Sequence, residues 1–362
     1  MKLIYIKTGL VLALITATAR AEDMQRIYRS AYLLGRGDSG LAIADNEDAI
    51  FYNPAGIALG KGLFKKAVFA SPMVEGSTAI RDIATRAQSA QSSDDYINIA
   101  RDNIGKPLHA GIYNFTGLIF RRAALGVVSS AQTDLLVYKA PQYGGLESAK
   151  ADFVENNGAT FSLAQDYLDQ KLLVGSTFKY LQRGQAHIDV NMTDVDKVKN
   201  MKSGDVLGSG IGGGADVGLM WQNPKARVNP ACGLTVMNVG QTRFKALNSN
   251  ATNVDSLQQT VNFGCALRPG TKYSSFKLLA DYWDATSTLT SNYRKKVHMG
   301  GEINVFNIVG FTAGMSQGAP SAGFFLNLYL LRFDLGMYTE EMEDRVGVRP
   351  DQRFFARLSV GF

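Results

Sequence analysis

The chain is 362 residues long, 46% hydrophobic and 19% charged, with a formal net charge of +6. So mild a balance gives no case for a nucleic-acid partner, which calls for a concentrated basic face. Three histidines and two cysteines over this length leave little material for a metal centre.

Residues 1–21 read as a secretory signal peptide: Lys2 and Lys7 form a basic start, Thr8 to Thr18 an apolar core too short to span a bilayer, and Ala19-Arg20-Ala21 an A-x-A cleavage site. The mature chain then begins at Glu22, and losing Lys2, Lys7 and Arg20 lowers the formal charge from +6 to +3. Beyond the signal no run of about 18 apolar residues occurs, which excludes transmembrane helices. Two classes of exported protein remain, a soluble periplasmic β-protein and an outer-membrane barrel.

The next stretch, Ala31 to Gly60, reads AYLLGRGDSGLAIADNEDAIFYNPAGIALG and lacks the strand alternation that fills the rest of the chain. Gly35, Gly37 and Gly40 supply positions where φ can be positive, and Pro54 holds Asn53 to extended or turn geometry. Leu41 to Ala44 and Glu47 to Phe51 have room for one or two helical turns, the second with Asp45 or Asn46 as N-cap. A compact plug follows from this punctuation. Its Leu34-Gly35-Arg36-Gly37, Ala42-Ile43-Ala44-Asp45 and Asn53-Pro54-Ala55 runs resemble the N-terminal hatch of the FadL family, the outer-membrane transporters of long-chain fatty acids and other hydrophobic compounds. PorV-like relatives, which dock exported proteins or a secretion complex, share that signature.

Residues 76–105 come next, with Ile80, Ile83, Ala84 and Ala87 at helical spacing, Tyr96, Ala100 and Ile104 likewise, and a break at Gln91 to Asp95. Two short helices are expected there. They form an external loop that is either a hydrophobic landing site or a cover over the barrel mouth.

Alternation then dominates. Leu172, Val174, Phe178 and Tyr180 oppose Thr177, Lys179 and Arg183; Phe354, Ala356, Leu358, Val360 and Phe362 oppose Arg353, Phe355, Arg357 and Ser359. About fourteen strands begin near Phe64, Ala110, Ala124, Gly158, Lys171, Ser209, Ala226, Gln258, Tyr273, Tyr293, Ile308, Pro320, Phe333 and Asp351, each near the ~9–11 residues that a tilted spanning strand needs. Tight connections such as Arg121-Arg122, Leu168 to Gln170 and Phe306-Asn307 alternate with long ones at 75–108, 139–156, 188–207 and 241–257. Short periplasmic turns and long external loops are the habit of outer-membrane barrels, and a soluble sandwich has no reason to keep it. The FadL resemblance also implies fourteen strands, and Phe362 resembles the terminal aromatic read by the barrel-assembly machinery.

Sites for chemistry are few. Gly208-Ser209-Gly210-Ile211-Gly212-Gly213 satisfies a bare G-x-G-x-x-G pattern, but it runs on as an alternating strand without the helix a dinucleotide site requires, so the glycines mark a bulge or the close approach of another element. His109, His187 and His298 show no metal-ligand spacing. Cys232 and Cys265 fall on neighbouring strands, where an export compartment permits a disulfide; free thiols are the default expectation, since a bridge needs matching register. No G-x-S-x-G elbow is present, and His298 with Glu302 reads as an ordinary lumen pair, so no enzymatic activity and no cofactor or metal is expected. Lys179, Arg183, Lys277, Arg353 and Arg357 against Asp216, Asp281, Glu302 and Asp334 either pair with one another or hold the hatch.

The fold expected is therefore all-β, a transmembrane antiparallel β-barrel of about 14 strands in the bacterial outer membrane, with residues 22–60 as a hatch inside it and 61–362 as the barrel. Partners are outer-membrane lipid and a hydrophobic small molecule or fatty acid, captured at the external mouth and released through a hatch rearrangement; the alternative is PorV-like docking of secretion-system proteins. Hatch or gating residues are Gly35, Gly37, Asn53, Pro54 and Ala55.

Overall fold

A computed structural model describes residues 25–60, 62–140, 146–191, 207–248, 254–271 and 273–362. The expected signal peptide lies outside them. Fourteen strands form the wall: β1 (Phe64–Ala70, resuming after Ser71-Pro72 as Met73–Ser77), β2 (Pro107–Phe120), β3 (Ala123–Ala140), β4 (Leu146–Tyr167), β5 (Leu172–Asn191), β6 (Gly208–Gln222), β7 (Ala231–Met237), β8 (Thr260–Leu267), β9 (Ser274–Tyr282), β10 (Val297–Val305), β11 (Val309–Ser316), β12 (Ala319–Leu328), β13 (Leu331–Glu341) and β14 (Pro350–Gly361). Every strand pairs antiparallel with its sequence neighbours, and β14 returns to β1 at Val68↔Gly361 and Arg353↔Ser77, so the sheet closes without an edge. Pro72 lacks the N–H a ladder needs, which is why β1 breaks there; the Asn114 side chain takes up the Ser71 N–H at 2.9 Å.

Outward positions are apolar. Phe354 and Leu358 on β14, Val174 and Phe178 on β5, and Phe276 and Leu278 on β9 are exposed, while their alternates Arg353, Arg357, Lys179 and Asp281 are buried. Backbone groups cannot be left unpaired in lipid, so only a closed sheet of this kind can hold such a surface within a bilayer. This is an outer-membrane type of barrel. Gln317-Gly318 makes one two-residue turn with both residues at positive φ, and at the opposite end Phe306-Asn307 makes another, the signature of a type I′ hairpin. Phe362 sits at that end, its ring 5.8 Å from Phe64 and 5.7 Å from Phe69.

Several boundaries differ from expectation. β3 runs on to Ala140 and β4 begins at Leu146, so most of the loop expected at 139–156 is strand, paired Ala140↔Leu146 through Ala123↔Leu163. Charged and polar residues such as Lys139, Glu147 and Asp152 hid this extension, because beyond a bilayer the lipid-side alternation has no reason to persist. β7 starts at Ala231 after a turn, and a helical turn, Tyr293–Lys296, precedes β10. The two expected helices are present as Ile80–Ser89 and Ser93–Arg101, the latter opened by a Ser92/Asp95 capping box. They bury Ile83, Ala87 and Ile99 against Leu108, Leu135 and Val137 of β2 and β3.

The free thiols expected at Cys232 and Cys265 are instead a disulfide. Cys232 on β7 lies directly opposite Cys265 on β8, with Cα atoms 4.1 Å apart, so the register condition is met. Changing both to alanine is expected to lower the unfolding free energy of the barrel by up to ~3–4 kcal/mol, the chain-entropy value for a loop of this size. Chemical unfolding in detergent checks it; the two paired strands already constrain the ends, so the loss should fall at or below that figure.

Candidate functional site

Residues 25–58 thread the lumen and are almost wholly buried. Ser30 caps a helical turn, Ala31–Leu34, by accepting the Leu33 N–H; Asn46–Tyr52 forms a second helix; and Asn53 caps a 3-10 turn over Pro54–Ala58 by accepting from Ala55 N at 3.2 Å. Asp45 takes the N-cap position of the second helix without a side-chain cap bond. Tyr28, Leu33, Ile50, Phe51 and Ile57 pack on Phe115, Val128, Leu173, Leu181 and Met220, inward-facing residues of β2, β3, β5 and β6.

The five residues singled out in the sequence divide between two seats on the wall. Gly35 and Gly37 lie over β10–β12. Gly37, at φ 73°, donates its N–H to Ser321 Oγ at 2.8 Å, and its carbonyl accepts from His298 Nδ1 at 3.0 Å. Gly35 itself is helical at φ −63°, so what it contributes is closeness: its Cα stands against Gly323. Asn53, Pro54 and Ala55 lie over β5–β7, where Asn53 Nδ2 donates to Leu41 O at 2.8 Å and to Leu219 O at 3.3 Å. At both seats the wall is made of glycine: a Cβ on Gly300 or Gly314 would overlap the Arg36–Gly37 backbone, and one on Gly175 or Gly218 would overlap Asn53 or Pro54. The glycine run of β6 follows the same logic. A Cβ on Gly210 would meet Phe244 Cβ at 2.9 Å, and Gly212 and Gly214 leave room for Arg243 and Thr242, so those glycines serve the close approach of residues 242–245.

Charge fixes the segment between its seats. Arg36 donates to Glu302 Oε2 at 2.8 Å, Lys277 to Glu302 Oε1 at 2.8 Å, and the Tyr32 hydroxyl also donates to that carboxylate. Gly40 and Leu41 N–H groups both donate to Asp281 Oδ2, at 2.6 and 3.0 Å. Arg29 reaches Glu340 at 3.0 Å and Lys66 reaches Glu47 at 2.7 Å. Of the lumen charges read from the sequence, Lys179 pairs with Asp216, Arg353 with Asp351 and Arg357 with Asp334, while Glu302 and Asp281 hold the N-terminal segment. His298 and Glu302 do not touch each other; each grips a different part of that segment. His109 lies on another strand, between Asp134 Oδ1 at 2.5 Å and Glu75 Oε1 at 2.9 Å. Among the described residues no group of three or more His, Cys, Asp or Glu could hold a metal ion.

Asp48, on the second lumen helix, is buried beside Glu47, and burial first, then that neighbouring carboxylate, pushes it up to about 6. A carboxyl raised in the folded state costs stability above that pH, and the cost disappears as pH falls from about 6 towards the unfolded value near 3.8. Asp48→Asn should therefore raise stability at pH 7.5 by of order 2–3 kcal/mol. The gain should shrink to nothing by about pH 4, checked by thermal unfolding of both proteins at the two pH values.

A cavity of about 70 Å³ lies in the lumen. Tyr28, Phe51, Met237, Leu257, Trp283 and Leu289 give it an apolar lining, with Arg26, Lys179, Asp216 and Asp284 among its polar members. In a measure where one water takes ~10–15 Å³, it holds a compact group and no extended long acyl chain. Nothing in the sequence pattern revealed it, because its walls come from the N-terminal segment, β5 to β8 and the connections after β7 and β9.

Comparison with protein-family models and with curated proteins finds no match. Among solved structures, the CymD monoaromatic hydrocarbon channel aligns over 91% of this chain and 96% of its own, with TM-score 0.53 and 11% identity. The Pseudomonas putida toluene transporter TodX aligns over 92% and 96%, with TM-score 0.49 and 9% identity, and the Ralstonia pickettii toluene transporter TbuX over 94% and 98%, with TM-score 0.48 and 10% identity. At such identities the likeness concerns the fold, and CymD carries it.

Proposed function

We propose that this chain, which has the fold of a FadL-type hydrocarbon channel, moves hydrophobic compounds across the outer membrane. The observation that carries the proposal is the lumen: the N-terminal segment packs across it and leaves beside itself an apolar, aromatic-lined cavity. Residues 22–60 act as a hatch. Cargo is captured at the external mouth, beside the helices at 80–89 and 93–101, and passes to the cavity when the hatch shifts on its two seats, with Gly35, Gly37, Asn53, Pro54 and Ala55 as the contacts that yield. Long-chain fatty acid is the cargo expected from the sequence resemblance; the size of the cavity favours a compact hydrophobe over it.

Uptake tests the proposal. Cells lacking the gene and cells regaining it take up labelled toluene and labelled oleate at different rates if the protein transports them. Equal uptake of both, with normal surface expression, removes the transport reading.

A second reading has one observation in its favour. β3, β4 and β5 run 18, 22 and 20 residues, about twice the ~9–11 that a spanning strand needs, and so stand above the membrane as a tall wall. A PorV-like barrel that docks exported proteins would use such a wall. Pull-down from solubilised membranes separates the two, stoichiometric protein partners speaking for docking and co-purified hydrophobic compound for transport.

A further inference from the structure

The lumen cavity reaches the outside at one edge. Most of its lining is buried, but Gln25, Arg26, Met237, Gln258 and Leu289 are half-exposed. Met237 and Gln258 flank the long connection after β7, Leu289 lies in the connection after β9, and Gln25 joins them by accepting the Gln258 N–H at 2.9 Å, which places the mouth at the external end of the barrel. Two of the five are apolar. Met237 is unbranched and yields easily, whereas Leu289 is branched and its backbone is held on both sides.

Asp284 and Leu289 both line the cavity while Ala285 to Thr288 between them are exposed, so a single thickness of chain separates the cavity from the exterior. The Asp284 carboxylate accepts from the N–H groups of Thr288, Leu289 and Thr290 at 2.8, 2.7 and 3.1 Å. On the far side Thr290 Oγ1 donates to Asp344 Oδ1 at 2.5 Å, and Asn292 Nδ2 donates to the Asp344 carbonyl at 2.8 Å. Asp344 belongs to the connection after β13, where the Glu341 carboxylate accepts from Gly347 N at 2.6 Å and Arg349 N at 2.7 Å, so this support is itself braced.

We propose that Leu289 is the size-selecting residue of the cavity mouth, with Asp284 and Asp344 as its positioning residues. The inference rests on the transport reading and deepens it by naming what limits the width of the cargo. A residue tethered through its own N–H on one flank and through its neighbour's hydroxyl on the other has little freedom to swing aside, so an entering molecule passes it in place. Narrow hydrophobic molecules therefore enter faster than broad ones. The polar members of the mouth offer them nothing, Gln25 being bound to Gln258 and Arg26 paired with Asp38.

Rates of entry and release of labelled toluene and of the broader labelled mesitylene, measured on the full-length protein in detergent, test this. Leu289→Ala is expected to speed toluene entry and release together by about 3- to 10-fold, the factor carried by the apolar contacts of half a leucine side chain, and to speed mesitylene more. Leu289→Phe should slow both rates for both molecules. Asp344→Ala, which leaves Leu289 present but less firmly held, should speed mesitylene by about 10-fold or more, the factor for a hydrogen bond to a charged group, with folding checked by heat-modifiable mobility on a gel. Faster release with entry at the wild-type rate would mean that Leu289 merely lines the cavity, and overturns the selection. Entry of both molecules into every variant as into the wild type overturns it too, and leaves hydrophobic transport standing. Absence of binding of either molecule to the wild type overturns both.

Discussion

Gly314→Val is expected to lift the N-terminal segment off its seat on β10–β12 while the barrel stays closed. Valine suits a strand better than glycine does, so the wall itself gains from the change. The new side chain, however, points at the Arg36–Gly37 backbone, and a peptide cannot rotate aside as a side chain can. Overpacking of this kind costs ~1–3 kcal/mol, and the Gly37 bonds to Ser321 and His298 are lost with the seat, at about 1 kcal/mol each. Arg36, buried in the wild type, should then be cut by trypsin at least tenfold faster in the detergent-solubilised protein, since cleavage of a transiently opened segment follows the population of the open form. Normal heat-modifiable mobility would show the wall intact. Cleavage at the wild-type rate would mean that the glycine seat does not hold the segment.

The second large effect concerns Glu302 and has an order to it. Glu302→Leu leaves two cations, the buried Arg36 and the partly buried Lys277, facing an apolar side chain, whereas Arg36→Met leaves Glu302 still paired with Lys277 and Tyr32. Removing one partner of a buried pair typically costs ~3–5 kcal/mol through the charge left behind. Glu302→Leu should therefore reach or exceed that range and Arg36→Met should fall well below it, with the double variant recovering part of the Glu302→Leu loss. Thermal unfolding in detergent ranks the three. Equal losses from both single changes would show that Glu302 is not the shared anchor.

Much of this molecule was legible in the sequence. The strand count followed from apolar alternation because lipid demands it of every outward residue, and the two helices at 80–89 and 93–101 followed from their spacing. The N-terminal segment stood out because it broke the alternation. What the sequence could not give was partnership across the lumen. Gly37 meets Ser321, Arg36 meets Glu302 and Asn53 meets Leu219, and such pairs depend on which wall position faces inward at a given height. A signal was present in the wall: Gly300, Gly314, Gly175 and Gly218 sit on inward positions of strands, where glycine weakens a sheet unless something must come close. The disulfide was hidden for the same reason, since one residue of register separates bridged cysteines from unbridged ones.

The contacts between leading segment and wall also set an order of assembly. Arg29 finds Glu340 311 residues later in the chain, Gly37 finds Ser321 after 284, and Arg36 finds Glu302 after 266. The part made first must wait for almost the whole polypeptide before its partners exist, and such remote closures are slow. A long-lived intermediate is the expected result, with the girdle of strands largely formed and residues 25–60 still dangling. Exposed glutamate and aspartate in that half-built vessel would be the last to find their arginines.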